Sequence, residues 1–325
     1  MTTAPELIVV RADPARPDEA DLRDAAAILR RGGLVAFPTE TVYGLGANAL
    51  DPEAIAGVFR AKGRPADNPL IVHLADPADL PRVARAVPPP AAELAARWWP
   101  GPLTLVLDAH PDVPAITTGG HSTVGVRVPD HPVARALIAE AGVPVAAPSA
   151  NRSGRPSPTT AAHVAGDLGG RIDAIVDGGP CTVGVESTVV DARGPTPVVL
   201  REGAITREDL EAIGVDEDGA ASPGTRYRHY APDCDVAVAD DVAATAASLL
   251  AEGRRVGAVA PAGVPLPAGV LVLARYPDLA TLARSLYDAL REAEAAGVEV
   301  VVLPRVPTRG LGRAIADRIA RAAAH

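Results

Sequence analysis

The chain has 325 residues, 48% of them hydrophobic and 22% charged, which is typical of a soluble globular protein with room for two domains. Its formal net charge of −9 argues against a non-specific nucleic-acid binder, because such proteins usually carry a basic face or run. Any anionic ligand must therefore be held by a local cationic site rather than by the overall field of the protein.

The N-terminal stretch, MTTAPELIVV, contains no charged region followed by a long apolar core, so the sequence predicts no secretion signal. No apolar run approaches the roughly 20 residues that span a bilayer. The chain has two cysteines, Cys181 and Cys234, too few for a disulfide framework or a cysteine zinc site. We therefore expect a cytoplasmic protein.

The first part of the chain is predicted to mix strands and helices, with more strands than a simple alternation supplies. Apolar runs predict strands at residues 7–10, 34–37, 70–74, 103–107, 124–128, 143–147, 172–176, 186–191 and 198–201. Helical spacing predicts helices at residues 18–31, 52–60, 131–140, 159–168 and 207–213, and two more between 75 and 98. Local signals set these boundaries; Asp51-Pro52, for example, is typical of a helix start.

Residues 214–232 are rich in Gly, Pro, Ser and acids and lack apolar periodicity, which indicates a linker. Beyond it, strands are predicted at 236–238, 256–260, 270–273 and 298–303, separated by helices at 241–252, 278–296 and 310–324. This alternation predicts a small parallel α/β domain.

The segment FPTETVYGLGANA, at residues 37–49, contains a match to the dinucleotide-binding pattern G-x-G-x-x-A that begins at Gly44. The context does not suit that fold, because Pro38 interrupts the preceding strand and the next helix begins only after Asp51. The glycines therefore indicate a place where the backbone approaches a ligand or another chain segment.

Lys62 is the sole lysine among 31 basic residues. It begins KGRPADNPLIVHL, where two prolines and a glycine keep the chain out of regular structure. A lysine is a compact point charge and an arginine is a planar fork, so Lys62 and Arg64 together suit a polyphosphate. The alternative is a solvated basic loop, and this segment alone leaves both interpretations open.

Arg127 lies within the apolar strand VGVRVP, where an unpaired charge would be costly. It therefore needs an anionic partner, either an internal carboxylate or the carboxylate of a ligand. Neither partner is favoured by this strand alone.

Residues 148–159 form a hydroxyl-rich loop that follows a predicted strand and leads to a helix start. Ser149, Asn151 and Ser157 suit an anion or nucleotide site at a helix N-terminus, although a plain capping loop has the same composition. The chain contains no convincing Ser-His-Asp or Cys-His arrangement and no His/Cys cluster at metal spacing. We therefore expect chemistry based on positioning and charge neutralisation, with magnesium arriving on phosphates.

Ordered motifs along the chain carry a family resemblance. They are FPTETVYGLGANA (37–49), KGRPADNPLIVHL (62–74), WPGPLT (99–104), VGVRVPDHP (124–132), PVAAPSAN (144–151), RPSPT (155–159), GVEST (184–188) and LREG (200–203). Together they resemble the YrdC-like threonylcarbamoyl-AMP synthases over residues 7–213. SPGTRYRHYAP (222–232) and PTRGLGRAIADRIARAA (307–323) resemble the long, two-domain form of that family, which typically has Met where this chain has Thr225.

The resemblance implies an α/β fold in three parts: a twisted, open mixed sheet with a concave face at residues 1–213, a linker or lid at 214–232, and a small Rossmann-like parallel α/β domain at 233–325. It also implies a nucleotidyltransferase that joins L-threonine, bicarbonate and ATP into threonylcarbamoyl-AMP, with release of pyrophosphate. The product would pass to a transferase complex that makes threonylcarbamoyladenosine in tRNA.

Specific site residues also follow from the resemblance. Lys62 and Arg64 would be catalytic. The L-threonine pocket would use Thr41, His73, Arg127, Ala147 and Ser187. ATP contacts would come from Lys62, Arg64, Asn68, Thr123, Ser149, Asn151, Ser157 and Arg201, with Tyr227, Arg228 and His229 of the linker as further candidates. Magnesium would arrive with ATP, without a dedicated metal site on the protein.

Two other classes of function are compatible with such a domain: a double-stranded RNA or tRNA binding module, and the carbamoyltransferase chemistry of hydrogenase-maturation proteins. The net charge of −9 and the single lysine argue against the first. The second requires acylphosphatase-like and zinc-finger segments, which this sequence does not contain. We expect neither stable nucleic-acid binding nor membrane association.

Overall fold

The structure, a computed structural model, describes residues 7–211, 214–215 and 230–324, so Tyr227, Arg228 and His229 lie outside the described residues. The strands are β1 (Ile8–Arg11), β2 (Val35–Phe37), β3 (Gly44–Asn48), β4 (Ile71–His73), β5 (Leu103–Asp108), β6 (Thr123–Arg127), β7 (Val145–Ala146), β8 (Ala174–Asp177), β9 (Thr188–Asp191), β10 (Val198–Arg201), β11 (Asp235–Ala239), β12 (Val256–Pro261), β13 (Leu271–Tyr276) and β14 (Val300–Pro304). The helices are α1 (Glu19–Arg30), α2 (Pro52–Lys62), α3 (Pro89–Trp98), α4 (Pro132–Ala141), α5 (Ala161–Leu168), α6 (Arg207–Glu211), α7 (Val242–Ala251), α8 (Leu279–Ala295) and α9 (Leu311–Ala323), with a 3₁₀ helix at Pro77–Arg82. None of the helices described has the length and apolar character that crossing a bilayer requires.

Within the described residues, the first ten strands form one sheet in the order β1-β8-β2-β3-β7-β4-β6-β5-β9-β10. The sheet is mixed, because β4 pairs with β6 in parallel whereas β7 pairs antiparallel with both β3 and β4. Val35 and Phe37 of β2 join a core with α1 and α4, while Ala36 joins a core with α2, α3 and α5. This alternation places helices on both faces of the sheet and confirms the predicted mixed α/β class.

β3 is a strand that the sequence pattern does not predict, because two glycines in five residues give low strand propensity. It pairs antiparallel with β2 and β7. A Cβ on Gly46 would lie 2.7 Å from Phe37 Cε1 and 2.9 Å from Val145 Cγ1. Glycine therefore lets the side chains of two neighbouring strands close over β3, and this close approach of other chain segments accounts for the glycine pattern.

α2 begins at its predicted residue, and its last residue is Lys62. Asp51 accepts hydrogen bonds from the backbone N–H groups of Glu53 (2.9 Å) and Ala54 (3.3 Å), as an N-cap does. Gly63 ends the helix in the left-handed conformation, with φ of 62°. This helix end fixes where the Lys62 side chain leaves the backbone.

Within the described residues, β11 to β14 form a second sheet in the order β11-β14-β12-β13, and every pair in it is parallel. The valine-rich strand β14 lies inside the sheet and is buried along its length. Val300 and Val302 pack with α7, whereas Val301 and Leu303 pack with α8 and α9 on the other face. The predicted parallel α/β class of this part is confirmed.

α8 and α9 also pack against the first sheet domain. Val42 and Val185 of that domain, together with Tyr230, belong to the apolar cluster formed by α8, α9 and the strands behind them. Ion pairs that link the two domains include Arg291–Asp167 (2.8 Å), Arg155–Glu294 (2.5 Å) and Arg318–Glu186 (3.0 Å). The second domain is therefore docked through apolar as well as charged contacts.

Candidate active site

A cleft with a volume of ≈ 270 Å³ lies over β4, β6 and the loop that follows β7. The predicted site residues that line it are Thr41, Arg64, Asn68, His73, Thr123, Arg127, Ala147, Ser149, Asn151, Ser187 and Arg201. Lys62 and Ser157 are buried and lie behind its wall. The structure thus brings together residues that are separated by up to 160 positions in the sequence.

Arg127, at the end of β6, is buried, and its guanidinium has three partners. Nε donates to Gly101 O at 3.2 Å, and Nη1 donates to Thr41 Oγ1 at 2.9 Å. Nη2 lies 2.6 Å from Glu40 Oε2, so an internal carboxylate supplies the negative charge that a buried arginine requires. Only Nε and Nη1 make hydrogen bonds to described residues, so three of its five N–H groups are left for a ligand in the cleft.

Glu40 is a residue to which the sequence pattern does not point. It is 5% exposed, and its Oε1 has no hydrogen-bond partner among the described residues. Buried polar atoms are nearly always satisfied, so an unsatisfied carboxylate oxygen beside the cleft marks a functional region. The available signal is an acid between two threonines in the otherwise apolar segment FPTETVYG, in a chain with a strand arginine that needs an acid.

His73, at the end of β4, is paired in register with Arg127 of β6. Burial, together with the positive charge of Arg127, lowers the pKa of His73 to about 3. Its Nδ1 lies 3.2 Å from Ile71 O, and Phe37 packs edge-on against the ring. His73 is therefore neutral at physiological pH and gives the cleft a polar group without charge.

Lys62 is 3% exposed and lies behind the loop at residues 149–151. Its Nζ donates to the carbonyl oxygens of Ser149 (2.5 Å) and Asn151 (2.6 Å). Burial lowers the pKa of Lys62 well below its ordinary value, and Arg64 adds to this effect. The Lys62 amino group therefore holds the backbone of the loop, while a contact with phosphate stays a prediction.

The loop that Lys62 holds is also fixed by its own side chains. Ser149 Oγ donates to Asn151 Oδ1 at 2.6 Å. Asn151 Nδ2 donates to the carbonyl oxygens of Arg152 and Arg155, each at 2.8 Å. Both ends of the Asn151 amide are thus engaged, which holds the loop in one conformation at the cleft.

Arg64 and Asn68 lie together in the loop after α2, and both line the cleft. Arg64 Nη2 donates to Pro69 O at 3.1 Å, and its Nε lies 3.4 Å from Asn68 O. Asn68 itself is buried. The loop folds back on the arginine, so the guanidinium is held near the cleft wall instead of extending into solvent.

Arg201 and Ser187 form a second polar group in the wall. Arg201 donates to Ser187 O from Nε (3.2 Å) and Nη2 (2.7 Å), and Nη2 also lies 3.1 Å from Ser187 Oγ. Ser187 Oγ lies 2.8 Å from Thr104 Oγ1. Burial lowers the pKa of Arg201, and no carboxylate among the described residues lies within ion-pair distance of it. Arg201 therefore presents a positive charge that no neighbouring acid neutralises directly.

Ser157 contacts a buried carboxylate instead of the cleft. Its Oγ donates to Glu186 Oε1 at 2.6 Å. Tyr287 OH donates to Glu186 Oε2 at 2.9 Å, and Arg318 Nε donates to the same oxygen at 3.0 Å. Burial would raise the pKa of Glu186, but Arg318 and Arg201 lower it to about 2. Glu186 is therefore ionised.

Tyr230 of the linker, together with Asp317 and Arg321 beyond it, also lines the cleft. Asp317 and Arg321 lie on α9, and Arg321 Nε donates to both Asp317 oxygens, at 2.9 and 3.0 Å. On α9 these residues belong to a charged helix face that resembles a solvent-exposed one. No local pattern marks them, because only the docking of α9 on the first domain brings them to the cleft.

Carboxylates that line the cleft are each paired with an arginine. The pairs are Asp191–Arg193 (2.7 Å), Glu186–Arg318 (3.0 Å) and Asp317–Arg321 (2.9 Å). In the part of the chain that the structure describes, no three His, Cys, Asp or Glu side chains come together as a metal-binding group.

Two family models match the chain, one to each domain. The Sua5/YciO/YrdC model, described as "Telomere recombination", matches residues 27–203. A second model, described as "Threonylcarbamoyl-AMP synthase, C-terminal domain", matches residues 205–324. The two matches together span most of the chain.

The similarity to full-length relatives and to a solved structure also extends over nearly the whole chain. The threonylcarbamoyl-AMP synthase of Bacillus subtilis is 46% identical, over 96% of this chain and 95% of the relative. That of Pyrococcus abyssi is 44% identical, over 95% of this chain and 96% of the relative. The crystal structure of P. abyssi Sua5 complexed with L-threonine has a TM-score of 0.89 and 43% identity, covering 98% of this chain and 97% of the other.

Proposed function

The chain belongs to the threonylcarbamoyl-AMP synthase family, and we propose that it joins L-threonine, bicarbonate and ATP into threonylcarbamoyl-AMP with release of pyrophosphate. One observation carries the proposal: residues expected to bind threonine and residues expected to bind ATP line a single cleft. Threonine as a substrate is further supported by a full-length structural relative that was solved with L-threonine.

Arg127 is proposed to bind the threonine carboxylate through the N–H groups that its protein contacts leave available. Thr41 and Ser187 then bond the substrate hydroxyl or the carbamate. His73, being neutral, adds polarity without a charge that would compete for the carboxylate. Ala147 supplies an apolar part of the wall.

In the proposed reaction the threonine amine, neutral when bound, takes up CO₂ with loss of a proton, or bicarbonate with loss of water, to give a carbamate. The carbamate oxygen attacks the α-phosphorus of ATP in line, the bond to the bridging oxygen breaks, and pyrophosphate leaves. Arg64 and Arg201 stabilise the charge that develops on the leaving group, and Lys62 holds the loop at 149–151 against the nucleotide. Most of the rate gain comes from orientation and electrostatic field.

The family implies that magnesium accompanies ATP. Magnesium prefers oxygen ligands and usually keeps several waters. Because each carboxylate lining the cleft is paired with an arginine, the residues present fit a metal held by the phosphate oxygens of ATP and not by this chain. Bound there, magnesium neutralises phosphate charge.

The mixed anhydride product is labile in water, so the site needs a cover. We propose the linker at 214–232 for this role, with Tyr227, Arg228 and His229 as its contacts to the nucleotide. The product then passes to a transferase complex that acts on tRNA in the cytoplasm. The unpaired state of both cysteines supports a reducing compartment.

Mass spectrometry of the nucleotide formed from ATP, L-threonine and bicarbonate tests the proposal. Threonylcarbamoyl-AMP and pyrophosphate are expected only when all three substrates are present. Reactions without threonine and without bicarbonate are the matched controls. Release of ADP, or pyrophosphate formation that does not depend on threonine, would contradict the proposed reaction.

A further inference from the structure

One wall of the cleft contains a charged cluster that joins the two domains, and Arg201 is the one member of this cluster that the proposed reaction uses. It consists of Glu186 and Arg201 from the first domain and Asp317, Arg318 and Arg321 from α9. We call it the interdomain charge cluster. Arg201 is its member from the proposed nucleotide site.

Arg318 is the centre of this cluster. It is 1% exposed, which makes it the largest fully buried side chain in the described part of the chain. Its Nε donates to Glu186 Oε2 at 3.0 Å, and its Nη1 donates to Asp317 Oδ2 and to Glu202 O, each at 2.9 Å. Its guanidinium also lies 5.8 Å from the ring centroid of Tyr230. A buried arginine with this many partners is held in one position.

The balance of charge in the cluster is uneven. Glu186 and Asp317 carry two negative charges, while Arg201, Arg318 and Arg321 carry three positive ones. Arg318 pairs with Glu186 and Asp317, and Arg321 pairs with Asp317. The excess positive charge therefore falls on Arg201, which lines the cleft and donates to the carbonyl and hydroxyl of Ser187.

Without Arg318, Glu186 would be a buried carboxylate with only the hydroxyls of Ser157 and Tyr287 as donors. A buried charge that loses its partner is strongly destabilised and takes the nearest opposite charge. That charge is Arg201, because Arg201 already lowers the pKa of Glu186 and holds the carbonyl of the next residue, Ser187.

We propose that Arg318 is a positioning residue: by occupying Glu186, it keeps Arg201 available to an anionic group of the nucleotide in the cleft. The inference rests on the proposed function in that ATP is the anion. Through Arg318, the second domain would thus affect the electrostatics of the nucleotide site in the first domain. In this arrangement the carboxylate of Glu186 is harmful to nucleotide binding unless Arg318 is present.

The test measures ATP binding in the presence of magnesium by calorimetry on the full chain, with variants Arg318→Met, Glu186→Gln and the double variant. Arg318→Met is expected to raise the Kd for ATP roughly tenfold or more, since a misplaced binding group can cost that much. Glu186→Gln is expected to stay within about threefold of the unmodified protein. The double variant is expected to bind about as well as Glu186→Gln alone, because nothing then competes for Arg201.

Arg313→Met is the matched control. Arg313 also lies on α9 and also makes an ion pair with the first domain, at 3.3 Å from Glu208, but this pair is partly exposed and away from the cleft. Its substitution is expected to change the Kd for ATP less than about twofold. Thermal unfolding of every variant, measured in parallel, separates loss of folded protein from loss of affinity.

The proposal is overturned if Arg318→Met binds ATP as the unmodified protein does, or if the double variant is as weak as Arg318→Met, since a purely structural role gives no rescue. Should Arg318→Met fail to fold, the comparison of Glu186→Gln with the double variant decides. Equal affinities support the proposal, and a further tenfold loss overturns it. Failure of the proposed function itself shows separately, as absence of threonine-dependent product from the unmodified chain.

Discussion

The described residues include two buried Arg–Glu pairs beside one cleft, and the two pairs differ in how fully the carboxylate is hydrogen-bonded. Arg127–Glu40 lies within the first domain, with 2.6 Å between Nη2 and Oε2. Arg318–Glu186 crosses between the domains, with 3.0 Å between Nε and Oε2. All four side chains are almost completely buried.

Glu186 also accepts hydrogen bonds from a serine and a tyrosine, so both of its oxygens are engaged. Neither oxygen of Glu40, in contrast, accepts a hydrogen bond from a described residue, although Oε2 lies at ion-pair distance from Arg127. A pair whose carboxylate has both oxygens hydrogen-bonded, here called saturated, offers a ligand no free acceptor and serves to hold structure, whereas a pair whose carboxylate has free oxygens can be completed by a ligand. The difference assigns substrate binding to Arg127–Glu40 and domain positioning to Arg318–Glu186.

The largest effect is expected from a substitution that removes the arginine of the Arg127–Glu40 pair. Arg127→Ala removes the proposed carboxylate clamp and is expected to lower threonine-dependent pyrophosphate release at least about 100-fold. It also leaves Glu40 buried without a cation, which costs roughly 3–5 kcal/mol in the free energy of unfolding. Steady-state kinetics and denaturant unfolding measure the two effects.

Arg127→Ala combined with Glu40→Gln separates these effects, because it removes the unpaired carboxylate together with the clamp. The double variant is expected to regain stability but not activity. If it regains both, Arg127 does not bind the substrate and the contrast between the two pairs fails.

The next largest effect is expected at Lys62, whose buried amino group has backbone carbonyl partners instead of a carboxylate. Lys62→Ala leaves the carbonyl oxygens of Ser149 and Asn151 without their donor, at a cost of roughly 1–3 kcal/mol for each buried acceptor left unsatisfied. The loosened loop is expected to reduce pyrophosphate release about 100-fold. Arg60→Ala, an exposed position on the same helix, is the control and should keep activity within about twofold. Normal turnover by Lys62→Ala would remove Lys62 from the site.

The contribution of the Arg318–Glu186 pair to stability can be tested by unfolding the protein at low pH. A fall in the pKa of Glu186 from 4.5 to about 2 corresponds to about 3 kcal/mol of stability. This stability is fully present above pH 4.5 or so and is lost as the pH falls through about 2, because the unfolded chain binds the proton first. Denaturant unfolding at a series of pH values should therefore show a shallower acid slope for Glu186→Gln than for the unmodified protein. The exposed Glu208→Gln is the control, with a smaller expected change; equal slopes for all three would contradict the burial argument.

Local signals account for much of the fold that could be predicted. Asp51-Pro52 and Gly63 delimit α2 within two residues of the prediction, since capping and left-handed conformation are decided by neighbouring backbone groups. Local signals do not predict β3, because its glycines are required by the close approach of Phe37 and Val145, which lie on other strands. Strand pairing across the sheet depends on contacts that one segment does not encode.

The site divides in the same way. Motif loops carry most cleft-lining residues, so Arg64, Ser149 and Ser187 were predictable from the sequence and its resemblance. The strand that contains Arg127 does not distinguish an internal acid from a ligand as the partner of this arginine, because nothing in the strand points to Glu40. The α9 residues are visible only after docking of the second domain, since charge on a helix face is ordinarily solvated.

The smallest effect is expected from Glu40→Gln, which compares the two Arg–Glu pairs most directly when it is measured beside Glu186→Gln. Glu40→Gln keeps the shape of the side chain and an oxygen acceptor for Arg127, but removes the charge that fixes the guanidinium at 2.6 Å. A less firmly held clamp is expected to raise the KM for threonine roughly tenfold while the KM for ATP stays within about twofold. Glu186→Gln should leave the KM for threonine within about twofold, because its pair holds no substrate group. If the two substitutions give the same change in the KM for threonine, spare hydrogen-bonding capacity does not distinguish the pair that binds substrate from the pair that positions the domain.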